Sequence, residues 1–177
     1  MRRLQIAGAV AVLALLGVVA AATAGGGARD VRETLTGYEE VPALSTTGAG
    51  EFRARIDRFD DEIRYRLSYR DLESAVTQAH IHFGQEAVNG GISVWLCANN
   101  PPIMNAPPGT QACPAAPATI TGTIGPEHVV GPTGQGIEAG AFDELLAAVA
   151  AGVTYVNLHT TGRPGGEIRA QLERGGR

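Results

Sequence analysis

Lysine is missing from this chain: all 14 basic residues among its 177 are arginine. That absence is a compositional bias and carries no chemistry of its own. The arginines are outnumbered by 18 acidic residues, for a net charge of −4, which argues against a nucleic-acid partner. Cysteine is scarce as well, with only Cys97 and Cys113. Their spacing is far from C-x-x-C, so a cysteine metal clip is disfavoured. No Gly-x-Ser-x-Gly elbow occurs, and no pair of carboxylates stands out for acid–base work. Gly165-Gly166 is followed by no helix start, so it is a turn rather than a phosphate loop. No repeat of solenoid period is present.

The chain does carry a leader-like start. Met1-Arg2-Arg3 precedes an apolar run to about Ala22, and Ala22-Thr23-Ala24 offers small residues at a cleavage site. This reads as a secretory signal peptide over 1–24, with a membrane anchor as the alternative if the segment stays attached. No cysteine follows the run, which argues against a lipid anchor. Cleavage would leave a flexible lead-in at 25–31, a single domain at 32–174, a short tail at 175–177 and a net charge of about −6. In an oxidising compartment Cys97 and Cys113 are expected to pair. The Pro- and Asn-rich stretch between them then becomes a stapled loop, stabilised by roughly 3 kcal/mol.

Period-two alternation predicts strands at 32–36, 49–56, 63–69, 76–83, 92–96, 119–124, 153–160 and 167–172. In the fifth, Ile92, Val94 and Leu96 are expected inward, with Trp95 under the stapled loop. One helix is predicted at about 141–151. Phe142, Leu145, Leu146 and Val149 share a face, Asp143 and Glu144 suit its first turn, and Gly152 ends it. Eight short strands and one helical crossover predict an all-β antiparallel sandwich or flattened barrel. Arg53, Arg55, Arg64 and Arg66 fall on the outer face of the second and third strands. That stripe is either a surface for an anionic polymer or a solvated face paired with Asp57, Asp60, Asp61 and Glu62.

Three of the four histidines share one property. In Gln78-Ala79-His80-Ile81-His82-Phe83, the histidines oppose Ala79, Ile81 and Phe83. In Tyr155-Val156-Asn157-Leu158-His159, the histidine opposes Val156 and Leu158. If the strands lie close, His80, His82 and His159 converge on the face away from the core. Alternate residues on a strand stand about 6.5–7 Å apart, near enough for both imidazoles to reach one ion. Such a set suits one copper or zinc ion, with Gln78, Asn157 and Glu167 placed to fix the rings. The other reading is a hydrogen-bonded polar layer that sets strand register.

Four segments carry a family resemblance: Leu35-Thr36-Gly37-Tyr38-Glu39-Glu40-Val41-Pro42, Ala79-His80-Ile81-His82-Phe83-Gly84, Tyr155-Val156-Asn157-Leu158-His159-Thr160, and Pro164-Gly165-Gly166-Glu167-Ile168-Arg169-Ala170-Gln171-Leu172. In this order they resemble the CHRD domain, named for its repeats in chordin. The resemblance implies an extracellular β-rich domain with no established enzymatic activity. The loop from Cys97 to Cys113 is longer than the connection the family pattern implies. His80, His82 and His159 are also similar to positions in copper/zinc superoxide dismutase. That family needs further histidines, and here only His128 remains.

The function these features support first is a secreted binding or interaction module with a partner outside the cell or in the envelope. A mononuclear copper or zinc enzyme at the same histidines, and a purely structural domain, are the alternatives.

Overall fold

The computed structural model describes residues 28–57, 61–99 and 105–172. The expected signal peptide, the tail and part of the turn after the second strand lie outside the described residues. The eight strands are β1 (Arg29–Thr36), β2 (Ala49–Asp57), β3 (Glu62–Arg70), β4 (Val76–Phe83), β5 (Gly91–Ala98), β6 (Ala118–Ile124), β7 (Thr154–Thr160) and β8 (Ile168–Gln171). β1 therefore starts inside the stretch read as a lead-in. One sheet holds them all, in the order β5-β4-β7-β8-β1-β2-β3-β6, and every pairing is antiparallel.

The sheet curls into a nearly closed barrel because alternate residues from β1 to β6 bury one continuous face. Leu35, Phe52, Leu67, Ile81, Val94 and Ile124 are all at most 1% exposed. The two edge strands are drawn together at the seam. Tyr65 Oη on β3 donates to the Leu96 carbonyl on β5 at 3.1 Å, and Val129, beyond β6, forms a bridge with Val94. Cys97 and Cys113 form a disulfide, and Cys113 N donates to Asn99 Oδ1 at 3.0 Å. The staple therefore reinforces the seam as well as closing the loop.

The helix α1 (Phe142–Ala151) buries Phe142, Leu145, Leu146, Ala148 and Val149. Val149 lines a small interior void with Val31, Ile56, Ile63 and Leu172, which places the helix against the barrel core. Gly152 stops it in the left-handed region at φ 73°, a conformation that costs glycine least.

The β5 expectation needs one correction. Register irregularities interrupt the β4–β5 ladder between Ala79 and His80 and between Ile81 and His82. Each extra residue on β5 reverses the side-chain parity beyond it. Ile92 therefore lies opposite His82 rather than inward, and Cys97 lies opposite Ala79 on the core face. Val94 and Leu96 remain buried, and Trp95 is half-buried beside Pro107 to Gln111 of the stapled loop.

The outer arginines face one another across β2 and β3, as Arg53 with Arg66 and Arg55 with Arg64. Glu51 pairs with both Arg32 and Arg53, and Glu62 pairs with Arg64. Glu51 and Glu62 are thus among the compensating acids. These exposed pairs stabilise little individually.

Candidate metal centre

β4 and β7 are adjacent, so the two histidine segments meet. Gln78 lies opposite His159, His80 opposite Asn157 and His82 opposite Tyr155. His80, His82 and His159 stand on the face away from the hydrophobic core, and the loops cover them there. They are 0%, 8% and 7% exposed. One ring nitrogen from each lies within 4.8 Å of the others, and no further residue joins this group among the described residues. An ion bound at ~2.0–2.1 Å would hold its donors about 3.5 Å apart. Small side-chain rotations close that difference.

Main-chain carbonyls orient two of the rings. His82 Nδ1 lies 3.0 Å from the Gly90 carbonyl, and His159 Nδ1 lies 3.0 Å from the Pro164 carbonyl. A carbonyl only accepts, so each Nδ1 carries the proton and each Nε2 keeps its lone pair. Those two Nε2 atoms, and both nitrogens of His80, are buried without a hydrogen-bond partner. Burial pushes the His80 imidazole down to about 2, with His159 and His82 adding repulsion. Burial likewise holds His82 at about 4 and lowers His159. The rings are therefore neutral near pH 7, the state a metal requires.

Aromatic groups wall the cluster. The Trp95 ring meets His80 edge-on at 4.3 Å. Tyr155 stacks parallel to His82 at 4.6 Å, and the Arg169 guanidinium lies 3.4 Å from the centre of the Tyr155 ring. Gly90 N donates to Tyr155 Oη at 3.1 Å, so the backbone groups of one residue, Gly90, position both His82 and Tyr155. A side chain at Gly90 would overlap the Phe83 carbonyl. The turn signal at Asn89-Gly90-Gly91 thus also permits a close backbone approach.

The residues expected to fix the rings are placed differently from that expectation. Gln78 is half-buried across from His159, while the Pro164 carbonyl holds that ring. Asn157 Nδ2 donates to Glu40 Oε1 at 2.7 Å. Glu167 accepts from Thr160 Oγ1, Thr46 Oγ1 and Glu73 N, so it ties loops to the end of β7. His128 accepts from Gly125 N and sits beside Glu127, outside the cluster.

Sequence reasoning missed Glu40, Tyr155 and Arg169 as components of this region. Glu40 is 7% exposed, and its carboxyl is raised to about 7 by burial, against the lowering influence of Arg169 and Asn157. Arg169 is 1% exposed and donates to Asn89 Oδ1 and to the Gln85 and Val88 carbonyls. The signal available beforehand was positional, since Glu40, Tyr155 and Arg169 all lie within the four segments of the family resemblance.

No curated protein and no solved structure matches the chain. A family model does, that of the CHRD domain, over residues 31–172. That span takes in all four segments, and each of them sends buried polar groups to the histidine cluster or to the Glu40–Arg169 region beside it. The chain belongs to the CHRD domain family.

Proposed function

We propose that this protein is an exported CHRD-type interaction domain that holds one transition-metal ion on His80, His82 and His159. The observation that carries the reading is the set of four buried imidazole nitrogens without partners. Buried polar atoms are paired in the great majority of cases, and each unpaired one costs about 1–3 kcal/mol. An ion satisfies one nitrogen on each ring, and the His80 ring that carries the fourth nitrogen packs against Trp95. A polar layer that only braced the sheet would pair these atoms among themselves.

Export is supported by the Cys97–Cys113 disulfide together with the leader-like sequence at 1–24. An interaction role is supported by a groove over Glu40 and Arg169. It holds about 380 Å³ and is rimmed by Val41, Pro42 and Tyr38. Tyr38 is 75% exposed, an apolar body offered to a partner outside the cell.

Elemental analysis of the purified protein tests the site. The expected result is one equivalent of transition metal in the wild type and none in a His80→Ala, His82→Ala double variant. Trp95, the chain's single tryptophan, should report binding through its fluorescence. Equal metal content in both proteins would remove the site.

A further inference from the structure

We infer that the resident ion is monovalent copper, Cu(I), in preference to a divalent ion such as Zn(II); the inference rests on the metal-site reading above. The donor set points there first. All three donors are imidazole nitrogens, and the carbonyls of Gly90 and Pro164 hold two of the rings in the neutral tautomer. No carboxylate or thiolate belongs to the donor group among the described residues. The site therefore supplies no negative charge to offset that of the ion.

The surroundings do not supply it either. Glu40, Arg169 and Glu167 are the buried ionisable groups nearby, and Glu167 directs its carboxylate to Thr160, Thr46 and the Glu73 amide. Glu40 is bonded to Asn157 and interacts with Arg169, so the negative charge it carries is offset there. The positive field of Arg169 also reaches His82. The desolvation cost of an ion grows as the square of its charge, so a dication loses about four times as much as a monocation in a given dry site. With His80 wholly buried and its two partners at most 8% exposed, that cost is not relieved by bulk water.

Coordination number favours the same answer. Zn(II) completes a three-histidine set with at least one water. Here the rings are hemmed in by Trp95, nearly perpendicular to His80 at 4.3 Å, and by Tyr155, stacked on His82 at 4.6 Å. The Tyr155 hydroxyl is already engaged by Gly90; the site is bordered by ring surface rather than by free partners for a water. Cu(I), a closed-shell ion, is satisfied by two or three nitrogens in a flat arrangement and needs no such water.

The test is a pair of competition titrations on the purified protein. Cu(I) is added anaerobically against bathocuproine disulfonate, and Zn(II) is added against a chromophoric zinc chelator. The expected result is one equivalent of Cu(I) bound at least 100-fold more tightly than Zn(II), with both affinities lost in His80→Ala and in His159→Ala. Circular dichroism shows whether each variant remains folded. Zn(II) binding as tight as Cu(I), lost in the same variants, would overturn the copper assignment and leave the metal site standing. Retention of neither ion by folded wild type would overturn both.

Discussion

Metal-free protein is expected to lose stability on acidification, with Glu40 concealing part of the loss. Burial holds His80 at about 2 and His82 at about 4, against an ordinary value of 6.5. At pH 5 the unfolded chain protonates both rings, and the folded chain protonates neither to any extent. Each ring then withdraws about 1.4 kcal/mol per pH unit below 6.5. Between pH 7.5 and pH 5.0 that amounts to about 2 kcal/mol per ring, or about 4 kcal/mol together. His159, lowered by burial as well, acts in the same direction. This stability is complete above the unfolded value and lost as pH falls toward the folded ones.

Glu40 has the opposite sign. Its carboxyl is raised from 4.5 to about 7, so the folded state takes up the proton first, and the same acidification returns about 2 kcal/mol. Wild type should therefore show a shallow decline of about 2 kcal/mol. Glu40→Gln, which keeps an acceptor for Asn157, should show about 4 kcal/mol. Urea unfolding in the presence of EDTA at pH 7.5, 6.5, 5.5 and 5.0 measures both. A Glu40→Gln curve no steeper than wild type would refute the role of Glu40. A flat one would show that the imidazoles are not held neutral by the fold.

Four further outcomes are expected. His80→Leu removes two buried unpaired nitrogens at nearly constant volume, so in EDTA it should raise stability by about 1–3 kcal/mol; calorimetry showing a loss would favour a bracing role for the ring. Gly166→Ala should cost about 3 kcal/mol or more, because Gly166 has a φ of 128° and its added methyl would meet Asn157 and Glu40; a melting temperature within two degrees or so of wild type would contradict this. Cys97→Ala with Cys113→Ala should cost about 3 kcal/mol, and dithiothreitol should then leave the melting temperature of the variant unmoved while lowering that of wild type. Arg169→Lys cannot reproduce the fork to Asn89, Gln85 and Val88, and should cost about 2–4 kcal/mol in urea unfolding.

The strands were legible because most of them bury one face. In β2 and β3, Phe52, Ala54 and Ile56 alternate with Arg53 and Arg55, and Ile63, Tyr65, Leu67 and Tyr69 alternate with Arg64, Arg66 and Ser68, so period and register follow from the sequence. The same alternation placed His80, His82 and His159 on the face away from the core. It did not show that this face would also be dry. All seven residues of β7 are buried, because the Gly90 turn, the Pro164 turn and the segment around Glu40 close over it. A period-two pattern describes how one strand meets a sheet and is silent about loops that return to cover it. The extra residues in β5 have no local signal either: nothing in Ile92-Ser93-Val94-Trp95-Leu96 distinguishes a bulged strand from a regular one. Arg169 reads as a solvent-facing arginine for the same reason, although Tyr155 and three acceptors enclose it.

The curled sheet separates two tasks. Its inner face gathers the apolar side chains of every strand and the helix, and supplies the hydrophobic stabilisation. Its outer face, at β4, β7 and β8, carries neutral imidazoles, an amide, a stacked tyrosine and a buried arginine in surroundings nearly as dry. A polar layer of this kind is costly when incomplete, since each unpaired nitrogen loses its hydration without replacement. The Cys97–Cys113 staple and the Tyr65–Leu96 contact reinforce the seam, and Glu167 ties the loops at one end of β7. The rigid parts thus frame the strand pair that presents the histidines, and an incomplete site can persist without local collapse. That is the arrangement expected where an ion completes the polar layer: the fold forms around an unsatisfied set of donors, and the ligand removes the penalty that the fold alone sustains.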